Sequence, residues 1–363
     1  MLQAESLTRS SNVGAPKHAD FAVETADAKR ELEERGYAHV RGACTASDVK
    51  TISAILEKLW RKRVGFNEGN FYDLVSDDDE GTKPMKFPQI INPNEAAPEL
   101  RKTAYFKRIE AMAKELLGPE ARFSFDHALR KAPLDGPLTP WHQDVAFRDP
   151  SIEYRELSFW MALQPTTMEN GCMRFIPGSH KGGLLEHRPF QNNPKIHVLE
   201  CCGSFDEDSA EYVPLDTGDM TIHTGLTLHG AGPNTSNGYR AGYVIIFELP
   251  PRPLETGAVS PWLANRETTR QMRARRWRSN RLNVAVRAWR YVRRNELTSL
   301  SAWQSLASRM LQRSGMIKRR VGWAGAALQG YSADSRCSGT PACRDLRVIR
   351  EGRAPALYCQ STP

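Results

Sequence analysis

From about Arg122 to Pro250 the chain runs in short stretches rich in β-branched and aromatic residues, divided by Gly, Pro, Asn and Asp. This pattern constrains the fold more than any other feature. The stretches are Arg122–Lys131, Leu157–Leu163, Arg174–Ile176, Tyr212–Leu215, Met220–His223 and Tyr239–Leu249. Many short strands at such spacing predict an antiparallel sandwich or barrel. The texture upstream differs. Phe21–Gly36 is helical in pattern, Gly36–Val40 reads as a short strand, and Val49, Ile52, Ile55, Leu56 and Leu59 fall near helical spacing behind a cap at Thr45 or Ser47. A helix over Tyr105–Leu117 is stopped by Gly118-Pro119. Asn67–Asn94 reads as a loop, and its acidic run at Asp77–Glu80 as a solvated part of it. Helices followed by strands predict an α+β domain with a mainly β core, a jelly roll buttressed by N-terminal helices.

After Pro250-Pro251-Arg252-Pro253 the pattern changes again. Leu282, Val286, Trp289 and Val292, then Leu300, Trp303, Leu306 and Met310, repeat near helical spacing and predict a C-terminal basic helical segment. Arg266–Arg320 carries 16 Lys/Arg against Glu267 and Glu296, a net +14 in a chain of net charge +8, which leaves −6 for the rest. The basic segment makes an anionic membrane surface a candidate partner of residues 266–320, while nucleic acid is not the expected one. An alternative reading is a membrane- or nucleic-acid-associated protein whose core has secondary or lost activity. Packing of these helices on the core, with a solvated basic face, explains the same Trp and Leu stripes. No apolar run reaches the roughly 20 residues that span a bilayer, and the polar start lacks a signal-peptide core. Seven cysteines without regular spacing fit reduced thiols, so a cytoplasmic location is expected.

Within the strand-rich region lies Trp141-His142-Gln143-Asp144. On extended backbone, His142 and Asp144 point to the same side, where one metal ion can accept both. His18-Ala19-Asp20, in the polar tail, shows that such pairs also arise by chance. For a third ligand the residues leave two candidates, His223 and His229. Two imidazoles and one carboxylate with open positions are the donor set of non-haem Fe(II) oxygenases. Arg240 opens an apolar strand, where a guanidinium needs an anionic partner. That partner is either a dicarboxylate cosubstrate, held through a bidentate pair, or a protein acid such as Asp219. On Arg122–Lys131, alternation sets His127 and Lys131 on one face and Asp126 and Arg130 on the other, either set being able to face a ligand.

Gly171-Cys172-Met173-Arg174-Phe175-Ile176-Pro177-Gly178-Ser179-His180-Lys181-Gly182 resembles the central motif of the phytanoyl-CoA dioxygenase family. Leu215-Asp216-Thr217-Gly218-Asp219, running into His223 through Gly230, resembles its next block. The resemblance covers roughly Glu31 to Pro250. It implies a double-stranded β-helix that binds Fe(II) and 2-oxoglutarate and uses O₂. It implies His142, Asp144 and His229 as iron ligands, Arg240 on the distal carboxylate of 2-oxoglutarate, and Trp160 beside that cosubstrate. His223 matches a neighbouring non-ligand, and His180 and His187 are structural in this reading. The implied reaction hydroxylates an unactivated C–H bond of a small molecule, a lipid or acyl, amino-acid or natural-product substrate, with release of succinate and CO₂. Related halogenating enzymes lack the carboxylate that Asp144 supplies, which argues for hydroxylation, or for desaturation or ring closure. The chain then divides into a flexible tail (1–20), the dioxygenase domain (21–255), basic amphipathic helices (256–320) and a poorly ordered tail (321–363).

Overall fold

A computed structural model describes residues 18–78, 80–255, 260–264, 266–280 and 283. The tails at 1–17 and 321–363 and the helices expected around Leu282–Val292 and Leu300–Met310 lie outside them, apart from Asn283. The first half forms α1 (His18–Arg35), β1 (Tyr37–Val40), α2 (Ala46–Arg61), β2 (Phe71–Asp73), β3 (Pro88–Ile91), α3 (Pro93–Ala96), α4 (Ala104–Leu117), β4 (Arg122–Lys131), β5 (Thr139–His142), β6 (Ile152–Glu153) and β7 (Glu156–Ala162). Then come β8 (Met173–Phe175), β9 (His187–Pro189), β10 (Leu199–Cys201), β11 (Glu211–Val213), β12 (Met220–Thr224), β13 (His229–Ala231), β14 (Arg240–Glu248), β15 (Arg252–Pro253) and α5 (Thr269–Ser279). No helix among the described residues is long and apolar enough to cross a membrane.

The strands form a seven-stranded sheet in the order β1-β12-β7-β14-β4-β3-β2 and a four-stranded sheet in the order β11-β8-β13-β5. All their pairings are antiparallel. The core lies in two layers on either side of the large sheet. Phe159, Met161, Ile245 and Phe247 pack with Ile52, Leu56, Ile109 and Met112 of α2 and α4. Trp160, Ala162, Val244 and Ile246, the alternate residues of the same strands, pack with Met173, Phe175 and Ala231 of the small sheet. Both faces of β7 and β14 are covered, which is why these strands read as continuous apolar runs. Thr45, of the two candidates, caps α2 by accepting from Asp48 N (3.1 Å).

The alternation on β4 resolves into two environments. Arg130 turns to the helices, pairing with Glu57 (2.8 Å) and stacking over Trp60. Asp126 is buried on the same side, where Tyr243 donates to it (2.6 Å), as does Asn94. His127 faces the space between the sheets, and Lys131, fully buried, donates to the carbonyls of Ala231 and Gly232 in the small sheet.

Two features depart from the sequence expectation. Asn67–Asn94 is not all loop, since β2 and β3 extend the large sheet there. These strands are too short for a period-2 pattern, and they are fixed by Asp73, whose carboxylate accepts from the backbone of Val75, Lys86 and Phe87. Second, α5 docks onto this region. Arg273 donates to the carbonyls of Phe66 and Phe71 (both 3.2 Å) and Arg270 to that of Gly69 (2.8 Å). Gly69, at φ +76°, lies so close to the Arg270 carbonyl that no side chain fits.

Burial raises the Asp126 pKa from 3.8 to about 6, against the lowering pull of Tyr243 and Asn94. A carboxyl whose pKa is raised on folding contributes stability that is complete below its unfolded value and lost as pH climbs through the folded one. Wild-type melting temperature, relative to Asp126→Asn, is therefore expected to fall between about pH 4 and pH 7. Thermal denaturation across that range checks it, and a constant difference would count against the assignment.

Candidate active site

β5 delivers His142 as its last residue and β13 delivers His229 as its first, and the two are cross-strand partners. Gln143 keeps extended backbone (φ −116°, ψ 134°), so Asp144 emerges on the same side as His142. Nε2 of His142 and Nε2 of His229 each lie 3.7 Å from Oδ1 of Asp144. The three ligand atoms all fall within 4.8 Å of one another, a spacing at which one metal ion could bind all three. Nδ1 of His142 is 2.8 Å from the Pro140 carbonyl, and Nδ1 of His229 is 2.8 Å from that of Thr227. A carbonyl can only accept, so the ring proton belongs on Nδ1 and the Nε2 lone pairs converge. Burial lowers the pKa of both imidazoles, His229 the more strongly because His142 and His223 also crowd it. Burial therefore favours the neutral imidazole, the state that ligates metal, while the Asp144 carboxylate favours the charged one.

The second oxygen of Asp144 has its own partners. Ser158 Oγ donates to Oδ2 (2.9 Å), and His223 Nε2 lies 3.3 Å from it. Burial opposes ionisation of Asp144, but the surrounding His229, His223 and His142 outweigh it and hold the carboxyl well below the usual range. Geometry thus separates the two histidines that sequence spacing left open. His229 shares Oδ1 with His142, whereas His223 sits on the opposite oxygen. Gln143, between two of the clustered residues, is fully buried. Its amide donates to the carbonyls of Gly183 (2.8 Å) and Leu226 (2.7 Å) and accepts from Leu185 N (2.8 Å). Its backbone N–H donates to His187 Nε2 (3.1 Å), so His187 supports the turn that aims the cluster.

The cluster opens into a cavity of about 380 Å³ between the sheets, which also meets Arg240, Trp160 and His127. Arg240 is 1% exposed. Asp219, the protein acid that could have paired with it, is instead held by His39 (3.2 Å) and Gly42 N (2.7 Å). Nε and Nη2 of Arg240 have no hydrogen-bond partner among the described residues. Burial brings its pKa down to about 10, so it stays charged at neutral pH. Its guanidinium stacks over the Trp160 ring, 4.4 Å from the centroid. A buried cation with open donors is costly unless an anion completes it, and a carboxylate accepting in the guanidinium plane is the matching group. The residues present therefore fit both a divalent ion and a dicarboxylate.

Sequence reasoning missed Ser158, Phe147, His197 and Arg270, all of which line the cavity. For Ser158 a signal existed. Alternation from Trp160 sets Glu156 and Ser158 on the same face of β7, two polar residues in an otherwise apolar strand. His197 and Arg270 lie on irregular backbone or in a distant helix, and no local pattern marks them.

The model of the family described as "Phytanoyl-CoA dioxygenase (PhyH)" matches residues 32–242. The chain is similar to a probable alpha-ketoglutarate-dependent hypophosphite dioxygenase of Stutzerimonas stutzeri, 27% identical over 58% of this chain and 74% of that protein. It is also similar to the human peroxisomal phytanoyl-CoA dioxygenase, 23% identical over 61% and 67% of the two chains. Among solved structures, EvdO2 from Micromonospora carbonacea var. aurantiaca complexed with 2-oxoglutarate is 30% identical. The match covers 69% of this chain and 98% of that one, with a TM-score of 0.56.

Gly242 crosses the flat of the Trp160 ring so closely that an added Cβ would overlap it. Gly242→Ala is expected to cost about 1–3 kcal/mol as an overpacked site and to disturb the surface on which Arg240 rests. Denaturant unfolding reads the first effect and 2-oxoglutarate affinity the second. Wild-type values for both would show that Trp160 yields freely.

Proposed function

The chain belongs to the phytanoyl-CoA dioxygenase family, and we propose that it hydroxylates an unactivated C–H bond of a small molecule at the site formed by His142, Asp144 and His229. It is an Fe(II)- and 2-oxoglutarate-dependent oxygenase, in keeping with the 2-oxoglutarate bound in its structural relative EvdO2. We read the two facing sheets as a double-stranded β-helix, with the site in the space they enclose. In this reading His142, Asp144 and His229 hold the iron, Arg240 receives the distal carboxylate of 2-oxoglutarate, and Trp160 walls the cosubstrate. The observation that carries it is the placement in one cavity of the three clustered donors and a buried guanidinium whose Nε and Nη2 have no partner among the described residues.

Iron held by His142, Asp144 and His229 would supply the oxidising chemistry by which 2-oxoglutarate and O₂ become succinate and CO₂, one oxygen atom passing to succinate and the other to the substrate carbon as C–OH. The protein's part is positional. Carbonyls of Pro140 and Thr227 hold the two imidazoles in the tautomer that offers Nε2. Ser158 and His223 occupy Oδ2 of Asp144, which leaves Oδ1 for the ion. Arg240, immobilised on Trp160, sets the direction of the cosubstrate. Phe87, Ile91, Phe125 and Leu129 line the cavity and limit the water around the reacting groups.

The presence of Asp144 supports hydroxylation, or a desaturation or ring closure begun by the same abstraction, over halogenation. The substrate is a small molecule in this reading, of lipid, amino-acid or natural-product type. A primary role at a membrane or on nucleic acid gains no support, because Arg266, Arg270 and Arg273 of the basic segment bind backbone carbonyls of the domain. We keep the division into tail, domain 21–255, basic segment 256–320 and tail 321–363, with Trp262 and α5 attached to the domain's surface.

Purified protein given Fe(II), 2-oxoglutarate and O₂ is expected to release succinate even without substrate. His142→Ala should lose iron binding and bring succinate to background, and retention of both would remove the ligand assignment. Arg240→Ala is expected to raise the KM for 2-oxoglutarate about 10- to 100-fold, the worth of a charge-assisted pair. An unchanged KM would place the cosubstrate elsewhere.

A further inference from the structure

Five charged residues line the cavity: Asp144, Arg148, Glu156, Arg240 and Arg270. Four are accounted for. Arg148 is paired with Glu156, which is itself buried. In the proposed function a divalent iron, the 2-oxoglutarate dianion, Asp144 and Arg240 cancel. Arg270 is left over, one uncompensated positive charge on the cavity wall.

Its setting is built. Arg270 is the second residue of α5, beyond the stretch that the family model matches. Its Nε donates to Gly69 O (2.8 Å) and its guanidinium lies over Tyr72, 5.2 Å from the ring centroid. These contacts fix the plane and leave both terminal nitrogens without a partner among the described residues. Tyr72 is buried and meets His197 edge-on (4.9 Å), His197 stacks with Phe147 (5.6 Å), and Phe147 meets His142 (5.9 Å). Arg270 thus stands at the far end of a run of three aromatic contacts from Tyr72 to His142, and over β2, which β3 and β4 separate from Arg240 on β14. Burial, foremost, and the cations Arg270 and Arg266 keep His197 neutral, so His197 adds no second charge.

We propose that Arg270 is a specificity-determining residue that receives the anionic group, carboxylate or phosphate, of the substrate, whose reacting carbon lies toward the His142 end of the cavity. This rests on the oxygenase reading of the site. A planar guanidinium with two free amino groups matches a carboxylate or phosphate through paired hydrogen bonds. The aromatic stretch between Arg270 and His142 would hold the apolar body of such a molecule.

The test uses the full chain loaded with Mn(II) and 2-oxoglutarate. Thermal-shift titrations compare alkyl carboxylates and alkyl phosphates with the methyl esters and primary amides of the same skeletons. Acids are expected to stabilise the wild type and the neutral compounds to do so far less. Arg270→Gln should weaken apparent affinity for the acids about tenfold or more. Arg270→Met, which keeps an unbranched side chain without the charge, should do the same and serves if the Gln variant folds poorly. Carboxylates and phosphates are scored separately, so the preferred anion is read directly. Neutral compounds binding as well as acids, no acid binding at millimolar concentration, or variants that keep the preference would each overturn the proposal. Acid binding through Arg270 without any response to Mn(II) and 2-oxoglutarate would uphold the anion site and defeat the oxygenase centre. A response to Mn(II) and 2-oxoglutarate without acid binding would do the reverse.

Discussion

Asp144 has two oxygens and two sets of partners, and this division ties the molecule together. Oδ1 lies at equal distance from His142 and His229, which belong to β5 and β13 of the small sheet. Oδ2 is held by Ser158 and His223, which belong to β7 and β12 of the large sheet. One half-buried carboxylate therefore joins the two sheets across the space between them. A charge in such a place is tolerated only when each lone pair is occupied. The arrangement meets that condition on one oxygen with protein groups and leaves the other for an ion.

The two faces of the large sheet answer different demands. Toward α2 and α4 the contacts are mainly apolar, with Asp126 accepting from Tyr243 and Arg130 paired with Glu57, although Nε of Arg130 has no partner among the described residues. That layer supplies stability by removing apolar surface from water. Toward the small sheet the polar groups are incompletely satisfied by the protein, Arg240 most of all. Buried polar groups left open in a native structure mark where a ligand belongs. The rigid apolar layer holds the open donors in place, so the stable face and the reactive face are two sides of the same strands.

The C-terminal segment belongs to this design. Trp262 donates to Ala146 O (2.9 Å) in the turn that follows Asp144, and Arg266 donates to the carbonyls of Ile196 and His197. These contacts fall on the turn and the cavity wall. Residues beyond the family match thus contact both the turn after Asp144 and the wall of the cavity.

Much of this was legible in the sequence. The strand runs, the helices before them and the His142-Gln143-Asp144 spacing are local properties, written in periods of two and of about three and a half residues. Resemblance chose His229 over His223 and gave Arg240 a cosubstrate carboxylate as its partner. Local pattern could not choose between His223 and His229, because both lie in polar–apolar surroundings that look alike along the chain. Nor could it see β2 and β3, whose few residues are strands only because β4 offers an edge. Asp219 was a credible partner for Arg240 until the fold turned it to His39. Arg270 read as one charge among many in a basic segment. By itself, then, the sequence determined the β-rich class and the His142–Asp144 pair, and left two candidates for the third donor. The tertiary structure alone decided which oxygen each histidine faces, that Arg240 finds no hydrogen-bond partner among the described residues, and that Arg270 reaches the cavity. Those outcomes depend on contacts between residues far apart in the chain, and no local period encodes them.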